Sequence, residues 1–169
     1  MRSSVGEVAG SGVIADTIRG VTTTDAIAWR THAGDVLRQT GHRSAAAREQ
    51  VLDALAGRDC CATAQDLADD LHRGGSRVGT ASIYRALELF VRLELVRRLE
   101  MGHGTARYEA AHPSGEHHHH LVCDRCGRVT QFEDPELEDA IDRAAARLDY
   151  VVGAHDVVLR GACPDCATA

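Results

Sequence analysis

The 169 residues carry 25 acidic side chains against 19 basic ones, all of them Arg, for a formal net charge of -6, with 44% hydrophobic residues and 3 Pro. That content excludes a disordered or low-complexity chain, and no apolar run approaches the ~20 residues of a membrane helix. What stands out is 6 Cys and 10 His.

Residues 1–24, rich in Gly, Ser, Thr and Val, show no sustained period and are expected to form a flexible extension. One early Arg without an apolar stretch behind it does not read as a secretory signal, so a cytoplasmic, reducing setting is expected, where clustered thiols hold metal more often than they form disulfides. Thr24-Asp25 starts a helix, with Ala26, Ile27, Trp29, Ala33, Val36 and Leu37 near helical spacing as far as Gly41. Ser44 opens a second, with apolar face Ala47, Val51, Leu52 and Leu55, closed by Gly57. Thr63 with Asp66 three residues on predicts a capping box for a third, carrying Leu67 and Leu71 before Gly74-Gly75. A fourth runs from about Thr80 through Ile83, Leu87, Phe90 and Val91. Leu95–Glu100, a turn over residues 101–104, and Thr105–Glu109 follow as a hairpin. Helices followed by a hairpin make a winged helix-turn-helix, whose last helix enters the major groove.

His112-Pro113-Ser114-Gly115 breaks both helix and strand and reads as a hinge. Beyond it, His120–Val122 and Arg128–Phe132 are predicted strands, residues 135–148 a helix, and Tyr150–Leu159 a third strand leading into Cys163. Such a small α/β unit has open sheet edges, which suits dimerisation. The expected fold is thus α/β with two domains, divided as an extension over 1–24, a winged-helix DNA-binding domain over 25–110, a hinge over 111–116 and a metal-binding dimerisation domain over 117–169. Charge divides similarly, at -1 over 1–29, +2 over 30–107 and -7 over 108–169. Different tasks for the two halves follow.

Cys123-Asp124-Arg125-Cys126 and Cys163-Pro164-Asp165-Cys166 are two C-x-x-C turns. Together they complete a tetrahedral zinc site with no open position, whose role is structural. In the run His117-His118-His119-His120, neighbours in an extended chain point to opposite faces, so His117 and His119 share one side and His118 and His120 the other. One tract can therefore serve two metals.

The stretch from about residue 34 to 166 resembles the ferric uptake regulator (Fur) superfamily of bacterial metal-dependent repressors. The resemblance rests on Thr80-Ala81-Ser82-Ile83-Tyr84-Arg85-Ala86-Leu87, on His117 through Cys126, and on the closing Cys163–Cys166, in the family's order. It implies a homodimer that binds double-stranded palindromic operator DNA, usually repressing, when metal fills a site between the domains. It also implies two further ligand sets: a regulatory site of Cys61, Glu109, His118 and His120, and a third site of His117, His119, Glu138 and His155. The zinc uptake regulators are the most similar branch, with two or three Zn(II) per subunit and Fe(II) or another divalent metal as the alternative at the regulatory site.

The chain departs from that branch in having Ala111 where a Cys often follows the wing tyrosine, with His112 beside it to join or replace Glu109, and Arg97 where an acidic ligand is common. Gln131 stands before Phe132 where peroxide-sensing relatives have Asp. Candidate base contacts are Ser82, Tyr84 and Arg85, with Arg43, Arg48 and Arg77 as phosphate partners. His32, His42, His72 and His103 lack companions and read as surface residues. An iron-, nickel- or peroxide-responsive regulator, a zinc hydrolase and a zinc-stabilised interaction module are the competing readings. A hydrolase needs an open metal position and a base, and no H-E-x-x-H occurs. No membrane and no small-molecule substrate is expected as a partner.

Overall fold

The computed structural model describes residues 23–102, 104–111 and 118–168. Most of the predicted extension, His103 and residues 112–117 of the hinge and His run lie outside them. The chain forms a helical N-terminal domain with a small sheet and a C-terminal domain built on a second sheet, the two-domain winged-helix fold expected.

Four helices make the head: α1 (Thr23–Gln39), α2 (Ala46–Ala56), α3 (Ala64–Arg73) and α4 (Thr80–Arg92). Trp29, Val51, Leu52, Leu67, Ile83, Leu87 and Phe90 are fully buried in one core. The Trp29 indole N–H would be costly to bury unpaired; it donates to the Leu95 carbonyl at 3.0 Å. The capping box forms as predicted, with Thr63 Oγ1 accepting from Asp66 N at 3.0 Å and Asp66 Oδ2 from Thr63 N at 2.8 Å. Ser44 does not cap α2; its hydroxyl donates to Glu49 at 3.1 Å, and the helix begins after Ala45 without a side-chain cap.

The wing is β2 (Val96–Glu100) paired antiparallel with β3 (Ala106–Ala110), and a two-residue β1 (Ala62–Thr63) adds to the other edge of β3. That third strand was not predicted, being too short to carry a period. Its effect is to tie the segment before α3 to the wing, through Ala62 opposite Tyr108.

In the C-terminal domain β4 (His119–Cys123) is central, antiparallel to β5 (Val129–Phe132) and parallel to β6 (Val158–Gly161). Helix α5 (Pro135–Arg147) opens with Asp134 accepting from the Glu136 and Leu137 amides and Pro135 in its first turn. A short α6 (Pro164–Ala167) closes the chain. The predicted strand Tyr150–Leu159 is corrected to its last two residues plus Arg160-Gly161. Among the described residues it pairs with β4 alone, from Val158 opposite His120 to Gly161 opposite Cys123. Tyr150 and Val151 stand 74% and 99% exposed.

Candidate metal centres and reading helix

Three groups of donors converge among the described residues. The first is the four cysteines, all free thiols whose sulfurs lie within 4.8 Å of one another. Cys123 ends β4, and the tight turn after it needs the left-handed Gly127 (φ 73°), whose N–H returns to the Cys123 carbonyl at 2.9 Å. Backbone N–H groups, that of Cys163 at 3.3 Å foremost and then that of Cys126, lower the Cys123 thiol to about 6. Cys166 is pushed up to about 12, through Cys163 first and then Cys126. One sulfur already stabilised as thiolate by backbone dipoles, with three more sulfurs beside it, fits a closed tetrahedral zinc site. Arg128 pairs with Asp165 at 2.7 Å across the two loops.

The second group lies between the domains. Cys60, just before β1, comes from the head, Glu109 from β3 of the wing, and His118 and His120 from the start of β4. The sulfur and the two ring nitrogens lie within 4.8 Å of one another, and each imidazole Nε2 is 3.1 Å from Glu109 Oε2. Burial alone would raise the Glu109 carboxyl, yet the hydrogen bonds from His118 and His120 hold it down at about 2. His118 is raised to about 9, by Cys60 first and then Glu109. His120 is raised too, because Cys60 and Glu109 together outweigh its burial. The Cys60 thiol falls well below the usual thiol range, chiefly through its hydrogen bond with Cys61 and then, against burial, through the two histidines. A thiol, a carboxylate and two imidazoles fit a divalent ion, which would displace the protons the imidazoles hold.

The structure differs from the sequence expectation here in one residue. Cys61 is not among the converging donors; it is buried with Leu99, Met101 and Val122, its sulfur 3.9 Å from that of Met101. Cys60 takes the place next to the histidines, 3.8 Å from its neighbour's sulfur. Cys60 lies at a bend before β1, outside the ladder, and its sulfur turns to the histidines while that of Cys61 turns into the cluster with Met101. The doublet itself was the available signal. Of the two residues proposed as a further donor, Glu109 is in place and His112 lies outside the described residues.

The third group is His119, Glu138 and His155. His119, 1% exposed, meets Glu138 at 2.6 Å, and His155 meets the other carboxylate oxygen at 3.1 Å. His117 lies outside the described residues. His118 and His120 thus face one centre and His119 another, as alternation along a strand requires.

On α4, Ile83, Leu87 and Phe90 fill the core while Tyr84 is 47% exposed and Arg85 exposed. The Arg85 guanidinium donates to Ser82 Oγ at 3.2 Å, so these two sit together on the outer face. Arg43 and Arg77 are exposed; Arg48 is half-buried and donates to the Arg43 carbonyl at 2.8 Å. Arg97 is half-buried opposite Glu109 in the wing ladder.

A model of the ferric uptake regulator family matches residues 39–160. The ferric uptake regulation protein of Neisseria meningitidis is 36% identical over 104 residues, covering 62% of this chain and 71% of that protein. The peroxide-responsive repressor PerR of Staphylococcus saprophyticus is 28% identical over 130 residues, 77% of this chain and 86% of that one. Among solved structures, the ferric uptake regulator of Vibrio cholerae superposes with a TM-score of 0.70 at 29% identity, over 77% of this chain and 98% of that one.

Proposed function

The chain belongs to the ferric uptake regulator family, and we propose that within it the protein is a zinc-responsive repressor that binds palindromic operator DNA as a homodimer. As in its relatives, the activity is metal-responsive transcription regulation and not enzymatic catalysis. The two sequence relatives named above divide between iron and peroxide, so the metal is argued from the donors themselves.

The observation that carries the reading is the hinge centre, where Cys60 and Glu109 of the head meet His118 and His120 of the C-terminal domain. One thiolate, one carboxylate and two imidazoles suit four-coordinate Zn(II), whereas Fe(II) and Mn(II) favour more oxygen and nitrogen donors and higher coordination. A bound ion supplies one positive centre that all four donors share. Cys60 is fixed through β1 to the start of α3, and Glu109 through β3 to the wing; His118 and His120 are fixed to β4. Bringing the four to one point therefore fixes the angle of the head on the C-terminal domain. Two reading helices engage successive major grooves only at a spacing of ~34 Å, so a defined angle raises the DNA-competent fraction.

Tyr84 supports the DNA reading, because an aromatic ring left outside a core already filled by Ile83 and Phe90 is free to meet a thymine methyl. Arg85 beside it suits guanine or phosphate. The homodimer is supported by the apolar surface of the C-terminal domain, where Leu148, Tyr150 and Val151 are 69%, 74% and 99% exposed, and a second copy would cover them. In the same reading the four cysteines hold structural zinc, and His119, Glu138 and His155 hold a third ion.

The test is gel shift of A/T-rich palindromic duplexes against buffered free Zn(II) and, anaerobically, Fe(II). Zinc at trace free levels should switch binding on. A protein that answers Fe(II) and ignores zinc would move the assignment to iron, the reading favoured by its identity to ferric uptake regulation proteins.

A further inference from the structure

The domains also meet at a second place, an apolar cluster beside the hinge against which Cys60 also packs. At the end of β2, Leu99 and Met101 are buried with Cys61 of the head and Val122 of β4, and Val129 packs against them. Gly102 follows in the left-handed region (φ 79°), and a Cβ added there would overlap the Arg160 guanidinium. Arg160 therefore lies directly against the backbone of the wing turn. Its Nη1 donates to Asp124 Oδ1 at 2.8 Å. On the other wing strand, Arg107 Nη2 donates to the Gly127 carbonyl at 3.3 Å.

These contacts have a common destination. Asp124 is the first residue inside the Cys123–Cys126 loop, Gly127 the first beyond it, and Arg160 stands three residues before Cys163. The wing is seated on the four-cysteine loops. Its head-side ends are equally specific: Arg107 is two residues from Glu109 on β3, and Cys61 is the immediate neighbour of Cys60. Each donor that the head contributes to the hinge is thus within two residues of a group held by the seat. Of the hinge donors of the C-terminal domain, His120 is on β4, whose last residue is Cys123, and His118 directly precedes that strand.

We infer that the four-cysteine loops do more than hold their own domain together: through Arg160, Asp124 and Arg107 they position Glu109 and Cys60 for the hinge metal, so that the two centres are coupled. Arg107 and Arg160 are positioning residues, acting through the wing. When the seat is intact, the head donors stand in register with His118 and His120 before any ion arrives, and the ordering that binding would otherwise have to impose is already done. When it is loosened, the wing and Cys60 sample other arrangements, and the hinge holds metal more weakly without losing a ligand. This inference rests on the hinge being the sensing centre.

The experiment compares the parent, the double variant Arg107→Ala/Arg160→Ala, Arg160→Lys and Cys60→Ala, all purified with the four-cysteine centre loaded. Zinc content is measured first, then hinge occupancy by competition with a chromophoric chelator, then operator affinity at saturating zinc. The double variant should keep its four-cysteine zinc and its saturated operator affinity, yet need about five- to ten-fold more free zinc to half-fill the hinge. Arg160→Lys, which keeps a charge facing Asp124, should shift less than the double variant. A double-variant curve overlying the parent while Cys60→Ala shifts would overturn the coupling and leave the hinge assignment standing. If Cys60→Ala overlies the parent as well, the hinge reading fails and takes this inference with it. Should the double variant lose its four-cysteine zinc, Arg107→Ala alone decides, because its hydrogen bond to that loop is to the carbonyl just beyond it.

Discussion

In the head, Trp29, Leu52, Leu67, Ile83, Leu87 and Phe90 are wholly buried in one core, whereas in the C-terminal domain neither α5 nor β6 buries a single residue. Each of those head side chains contributes roughly 1.5–3 kcal/mol by leaving water, so the head folds on its own apolar surface. The C-terminal domain buries Val122, Cys123, Phe132, Gln131 and two histidines, and leaves Leu121, Leu148, Tyr150, Val151, Val152 and Leu159 outside. So small an apolar interior does not stabilise a fold alone; metal at the cysteines and a second copy on the exposed face are the compensations the account assigns. The two halves differ in kind: hydrophobic burial sets the reading head, and coordination sets the part that senses.

The sharpest way to break this comparison is to remove the cysteine metal. Cys163→Ser should release zinc and unfold the C-terminal domain, since structural zinc supplies on the order of 10 kcal/mol of folding free energy. Hydrogen exchange should then show protection lost over residues 118–168 and kept over α2 to α4. A zinc-loaded, dimeric Cys163→Ser protein would refute the division.

The converse change attacks the head. Leu52→Ala empties a fully buried site and should cost about 2–5 kcal/mol, read as a lower thermal midpoint of the helical signal, with zinc content at the four cysteines unchanged. Arg85→Ala touches neither core nor metal, and should weaken operator binding on the order of a hundred-fold at matched salt while midpoint, zinc and dimer stay put. The smallest effect is at the capping box, where Thr63→Ala should lower head stability by about 1 kcal/mol. Burial pushes the Asp66 carboxyl up, but its bonds to the Thr63 amide and hydroxyl hold it lower than an ordinary aspartate. Its contribution is therefore complete above the ordinary aspartate range and lost as pH falls through the lower folded value. Asp66→Asn should flatten that acid limb of the stability curve.

Much of this was legible in the residues. Thr63 with Asp66, the periodic Ile83, Leu87 and Phe90, and the two C-x-x-C turns are local signals, each carried by a few neighbouring positions, and each appears in the structure where the spacing put it. The parts that were not legible depend on distant partners. Which of Cys60 and Cys61 faces the histidines is decided at a bend before β1, where neither residue is in the ladder and no period applies. The apolar run Tyr150–Val152 reads as a strand, yet among the described residues no strand pairs with it, and β6 begins only at Val158. The seat of the wing on the cysteine loops joins Gly102 to Arg160 and Arg107 to Gly127, pairs that no motif links.

The most direct test of the account is operator binding against buffered free zinc for the parent, Cys60→Ala and Cys61→Ala. Cys60 stands with His118 and His120, while Cys61 packs on Met101. Cys60→Ala should remain dimeric, keep its four-cysteine zinc and need at least ten-fold more free zinc to bind its operator, the loss expected for a ligand; Cys61→Ala should shift much less. Overlapping curves for the parent and Cys60→Ala, with Cys61→Ala displaced instead, would contradict the hinge as described.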